Sequence, residues 1–264
     1  MTRNAAWLLP AFLLPALLLA SNASAAGLQP ACPALADAGI DTSHLPQVTA
    51  ALKPGGTLAI LAVGSATVFG PDASATADAA SKTTPKPPLQ PSQVGFPWQA
   101  AHALEAAVHG LHVSVTVIGH RGLTAAEMLD RIREELPKKP YRLVLWQTGT
   151  VDAVQDLPPV DFYQTLADGA AAITEAGADL VLVDPQYSRF LEDNANLTPY
   201  ADALEAAAAL PGVALFHRTT LMHAWVEDGA LDLERTPKAD RPATAAHLHA
   251  CLGRALAAGL LGGG

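Results

Sequence analysis

Short apolar runs alternate along this chain with amphipathic stretches, and the alternation predicts a layered α/β fold. Leu58-Ala59-Ile60-Leu61-Ala62-Val63 is a continuous apolar run closed by Gly64, the pattern of a strand buried on both faces that ends in a tight turn. Further strands are expected at His112–Ile118, Arg142–Trp146, Leu180–Val183 and Val213–Phe216. Helical patterns fall between them. One runs from Trp98 to about Val108. A second is capped by Thr124, carries Met128, Leu129 and Ile132 on one face and stops before Pro137. The next covers Val160 to about Ala176 and is ended by Gly177, and another covers Tyr200 to Leu210 and stops at Pro211-Gly212. The last starts near Pro242 and reaches the glycine tail. Strands alternating with helices at this spacing imply a parallel sheet covered on both faces, with ligands beyond the C-terminal strand ends. There is no internal repeat and no sign of a second domain.

The flanking segments change the picture in two places. Arg3 gives a short positive start, Ala5 through Ala20 is apolar apart from Pro10 and Pro15, and Ala23-Ser24-Ala25 supplies small residues for cleavage. Residues 1–25 are therefore expected to be a signal peptide removed after Ala25; as a membrane anchor the run is short and twice broken by proline. Residues 26–57 are expected to form an N-terminal arm and residues 58–264 the domain. Within the domain, residues 71–97 are a Pro/Ser/Thr-rich loop containing Pro85-Lys86-Pro87-Pro88. No later apolar run is long enough to span a bilayer. The expected location is periplasmic or secreted, with no membrane attachment after cleavage.

Composition narrows the partners. The 264 residues are 50% hydrophobic and 16% charged with a net charge of −9, which describes a globular chain. No Lys/Arg stripe stands out, so nucleic acid and anionic membranes are not expected partners. Two cysteines, Cys32 and Cys251, lie near opposite ends. In an oxidising compartment the simplest reading is one disulfide, the other being two buried thiols. Neither the cysteines nor the nine histidines show metal-ligand spacing, so no metal and no cofactor are expected.

Candidate chemistry sits at the strand ends. They read Gly64-Ser65-Ala66-Thr67, Gly119-His120-Arg121-Gly122, Gly149-Thr150-Val151-Asp152 and Asp184-Pro185-Gln186-Tyr187, with Asp240-Arg241-Pro242-Ala243 near the C-terminus. In order and spacing these blocks resemble the SGNH/GDSL hydrolases (esterases and lipases), and within them an exported bacterial group with Gly-Ser-Ser-Ser in the first block. Leu215-Phe216-His217-Arg218 and Leu221-Met222-His223-Ala224-Trp225 fit that group too. The likeness runs from about Cys32 to Cys251. It implies a flavodoxin-like three-layer α/β/α sandwich with a parallel sheet of about five strands. It also implies ester hydrolysis by a serine activated by a histidine, which an aspartate orients, with the oxyanion held by backbone N–H groups and an asparagine.

Carried over position by position, the nucleophile falls on Ala66, the second-block glycine on Gly122, the oxyanion asparagine on Val151, the aspartate on Asp240 and the base on Ala243. Loss of nucleophile or base alone costs a serine hydrolase about 10⁶ in turnover, and loss of an oxyanion donor about 10²–10³. The expectation is a degenerate member, a pseudoenzyme that binds a small-molecule or glycan ligand (an acylated glycan, for instance) or a protein partner. The alternative is an active, carbohydrate-esterase-like hydrolase built on Ser65 and His247. Ser65 otherwise reads as a turn residue whose hydroxyl bonds nearby backbone, and His249 as a packed helix residue. The expected ligand cleft comprises Ser65, His120, Arg121, Gly122, Gln147, Asp152, Gln186 and Tyr187. Asp152 and Asp184 as a glycosidase carboxylate pair are weighed against the ordinary role of strand-end aspartates, which is to order a loop or cap a helix.

Overall fold

In the computed structural model the described residues are 31–33, 40–70 and 93–262. The expected signal peptide and most of the Pro/Ser/Thr-rich loop lie outside them. Five strands, β1 (Thr57–Gly64), β2 (His112–Gly119), β3 (Leu143–Gln147), β4 (Asp179–Val183) and β5 (Val213–Phe216), form one sheet in the order β2-β1-β3-β4-β5. Every pairing is parallel. This is the flavodoxin-like order, in which the chain reverses direction across the sheet between β1 and β3 and opens a crevice at their carboxyl ends.

The strands form because they are apolar throughout. β3, β4 and β5 are buried at every position, as central parallel strands must be when helices cover both faces. β2 is the exception, an edge strand in which His112, Ser114 and Thr116 alternate with Val113, Val115 and Val117. The valines pack against one core cluster and Ile118 against the other.

The covering helices are α1 (Pro46–Ala51), α2 (Phe96–Ala107), α3 (Ala125–Glu135), α4 (Thr150–Val154), α5 (Pro159–Glu175), α6 (Arg189–Asn194), α7 (Thr198–Ala208), α8 (Arg218–Glu227) and α9 (Arg241–Leu260). On one face α1, α2, α8 and α9 bury Val48, Leu104, Trp225, Leu252 and Leu256 against Ile60, Leu145 and Phe216. On the other, α3, α5 and α7 bury Met128, Ile132, Leu166 and Leu204 against Leu61, Trp146 and Leu182. Thr124 and Glu127 close a reciprocal capping box at the start of α3, satisfying two otherwise orphaned N–H groups. Gly169 lets α5 approach the sheet, since a Cβ there would lie 2.4 Å from Cζ3 of Trp146.

Four differences from the sequence expectations have physical causes. α2 begins at Phe96, inside the stretch assigned to the loop, because Pro97 sits in its first turn where a missing N–H is harmless. Within the expected arm, residues 40–51 contribute to the core: Leu45 and Val48 are fully buried, and the Val48 N–H donates to Asp179 at 2.8 Å. Two short helices, α4 and α6, interrupt what reads as loop. α8 escapes periodicity because Arg218, Leu221, Met222 and Trp225 are buried without a clean apolar stripe. Cys32 and Cys251 are disulfide-bonded, with Cα atoms 5.4 Å apart.

Candidate functional site

Beyond β1 the chain turns at once into a short 3-10 segment, Ala66–Phe69. Ser65 is extended just before it, and its carbonyl accepts the Val68 N–H. Its hydroxyl makes no capping bond to that turn, contrary to the turn-residue expectation. Thr67 carries the first internal link: its Oγ1 accepts from Nε2 of Gln147 at 2.6 Å. Gln147 Oε1 in turn accepts from Nη1 of Arg218 at 3.0 Å. Gln147, expected at the cleft, is buried and occupied on both sides of its amide.

The second block is an exposed turn. Gly119 needs its positive φ and its missing side chain, because a Cβ would sit 2.0 Å from the Gly64 carbonyl oxygen. This places the ends of β1 and β2 side by side. His120 is exposed, with Nδ1 3.0 Å from the Arg121 carbonyl. Arg121 and Gly122 are also exposed, and Gly122 has φ +84° with open space where a Cβ would be.

In the third block Val151 is half-buried in the first turn of α4, and Asp152 is buried. The Asp152 carboxylate accepts the Ala125 N–H at 2.9 Å and so pins the start of α3 to the β3 turn. Burial raises its pKa, opposed by backbone N–H groups of Ala125, Asp152 and Gly149. Asp184 does similar work beyond β4, accepting the Thr219 N–H at 2.9 Å. Burial pushes its pKa up to about 6, although Thr219, Arg218 and His217 favour the charged form. Each carboxylate therefore orders the start of a different helix, the ordinary role weighed against a glycosidase pair.

The last block opens α9. Asp240 is its exposed N-cap without a side-chain capping bond, and Ala243 is exposed in the first turn. His247, one turn on, lies against the disulfide, its ring nitrogens 3.8 and 3.9 Å from Cys251 Sγ. Partial burial, then Arg254, lowers its pKa. His249 is buried, stacks on Phe96 at 6.2 Å between centroids, and accepts the Phe96 N–H at 3.1 Å through Nδ1. That bond requires an unprotonated Nδ1. Burial, then Arg218, brings its pKa down to about 4. His217 and His223 pair with Glu205 and Glu227 at 3.5 and 3.6 Å.

The sequence placed Arg218 in a segment that fits the family group but gave it no role. It follows an apolar strand as a helix-starting residue would, yet it is 2% exposed and burial brings its pKa down to about 10. Its Nε and Nη2 have no hydrogen-bond partner among the described residues. Gln186 and Tyr187 lie elsewhere on the rim, in a groove of about 700 Å³ with Glu192, Asn196 and Thr198. None of the positions carried over from the family lines that groove. Among the described residues no cluster of three or more His, Cys, Asp or Glu is arranged to hold a metal, and no helix is long and apolar enough to cross a membrane.

Sheet order, covering helices and the crevice beyond β1 and β3 together define the SGNH/GDSL hydrolase fold. Two solved structures share it: a lipase/acylhydrolase from Enterococcus faecalis (TM-score 0.51, 14% identity, 73% of this chain and 93% of that one), and a two-domain esterase active on acetylated mannans (TM-score 0.52, 14% identity, 83% of this chain and 56% of that one). The profile of the Non-GDSL lipase-like family matches residues 31–263, and the chain belongs to that family. A comparison with curated proteins finds no match.

Proposed function

We propose that this protein is an exported member of its family that has lost ester hydrolysis and acts by binding, either an acylated glycan or a protein partner. One observation carries the reading. In its support, His249 is buried with its Nδ1 taken by the Phe96 N–H, and the His247 ring lies against the Cys251 sulfur. A serine nucleophile needs a base within hydrogen-bond reach and free to take the proton. With Ala66, Val151 and Ala243 at the family positions, the cleft supplies shape without a reacting group. The disulfide and the lack of a membrane-crossing helix among the described residues are compatible with export. The glycan half of the reading is supported by the ligand of the mannan esterase, whose fold this chain shares.

A second reading retains one observation in its favour: Ser65 has a half-buried hydroxyl with no capping bond, beside the β1/β3 crevice. In that reading the protein is an esterase using Ser65 and His247. The deciding experiment is fluorophosphonate labelling with aryl acetate hydrolysis, on the native protein and on Ala66→Ser/Ala243→His. Silence from the native protein with labelling of the restored variant is expected. Labelling of the native protein that Ser65→Ala abolishes would sink the binding reading.

A further inference from the structure

We propose that the groove between the β4–α6 loop and the start of α7 is the ligand site, and that it takes a neutral oligosaccharide. This rests on the binding reading and gives it a location and a chemical class. The groove encloses about 700 Å³, a volume within the range of small-molecule sites.

Three side chains on its wall, Gln186, Asn196 and Thr198, make no hydrogen bond among the described residues. Two amides and a hydroxyl provide donors and acceptors side by side without charge, the complement a ring bearing several hydroxyls requires. Tyr187 adds an aromatic surface whose orientation is held by edge-to-face contact with His223, at 4.6 Å between centroids and 81° between planes.

Charge excludes the competing ligands. Glu192 and Asp193 both line the groove, and no Lys or Arg does among the described residues. A phosphate, sulfate or uronate would meet like charge there, as it would over the chain as a whole at −9. The rim is braced before any ligand arrives. Arg189 pairs with Asp232 at 2.8 Å and Glu234 at 3.3 Å, Ser188 donates to Glu234 at 2.7 Å, and Thr219 donates to the Pro185 carbonyl. Bracing of this kind lowers the ordering cost of binding. A ligand seated here touches none of the family's catalytic positions, so it would be held and not turned over.

The test is calorimetric titration of the purified protein with mannohexaose, N-acetylchitohexaose and hexagalacturonate. At least one neutral oligomer is expected to bind, with hexagalacturonate weaker by about tenfold or more. Gln186→Ala/Asn196→Ala is expected to weaken the neutral ligand by more than about fivefold while its Tm stays within about 2 °C. The proposal is overturned if neither neutral oligomer binds, if the uronate binds within that margin, or if the double variant loses less. Fluorophosphonate labelling of the same preparation reads the parent proposal separately. Labelling with groove binding intact would sink the silent-enzyme reading and leave the groove standing; silence without binding would sink the groove alone.

Discussion

At the ends of β1 and β3, where the chain's direction reverses, the Gln147 and Asp152 side chains are bonded to other parts of the protein, whereas Ser65 makes no capping bond and the buried Thr148 hydroxyl has no partner among the described residues. Gln147 joins Thr67 to Arg218, and Asp152 holds the start of α3. Beyond β4, in the loop to α6 and the start of α7, Gln186, Asn196 and Thr198 are left without partners and face a groove. In the first region the two long polar side chains brace the scaffold; in the second, the groups proposed to meet a ligand are left unbonded. On the proposed binding reading, catalysis no longer requires free groups at the first site, and alanine and valine at the family positions strand no buried charge there. Binding can then persist at the second site without the first.

The contrast predicts that substitutions in the first region lower stability and spare binding, and those in the second do the reverse. Replacing Cys32 and Cys251 by serine should have the largest effect, up to about 5 kcal/mol in the chain-entropy estimate. It is read by urea unfolding, with oligosaccharide affinity unchanged at temperatures where the variant is folded. Asp152→Ala should cost about 1–3 kcal/mol, because the buried Ala125 N–H loses its acceptor. Loss of affinity in that folded variant would break the comparison.

The boundary between the regions carries a pH signature. Folded Asp184 keeps its proton up to about 6 against an ordinary 3.8, so its contribution to stability is present at low pH and lost as pH rises through 6. His249 works oppositely. With a folded value of about 4 against an ordinary 6.5, its contribution is present above 6.5 and lost as pH falls toward 4. Between about pH 4 and 6 the two nearly cancel. Relative to the native protein, Asp184→Asn should therefore lose on the order of 3 kcal/mol as pH falls from 6.5 to 4, and His249→Gln should gain a similar amount. Parallel denaturation curves for the two variants would show that these groups are not buried as described. The smallest effect is expected for Gln186→Ala and Asn196→Ala singly, within about 0.5 kcal/mol of native stability, while each measurably weakens the oligosaccharide.

All five strands were legible in the chain to within a residue or two at each end: β1, β3, β4 and β5 because strands buried on both faces leave apolar runs, and the edge strand β2 because its polar residues alternate with valines. The α3 cap was legible for a similar reason, since Thr124 and Glu127 stand three apart beside an apolar face. α8 was not, because its buried face contains Arg218 and its helical period is blurred. Of the candidate site, the sequence supplies only the assignment that the family resemblance implies, with Ala66, Val151 and Ala243 at its positions. Which polar groups there are bonded it does not supply. Gln147 and Asp152 look like cleft residues because strand ends usually present them to ligands, and only their partners on other elements remove them from the cleft.

Sequence alone thus determined the alternation of strands and helices and the parallel sheet, since both depend on residue identity and local periodicity. Tertiary structure decided which polar groups remain free. Arg218 and Gln147 lie 71 positions apart, and Asp152 and Ala125 lie 27 apart. Whether a hydrogen bond forms between such residues depends on how the sheet and helices bring their atoms within about 3 Å of each other, which no local pattern encodes.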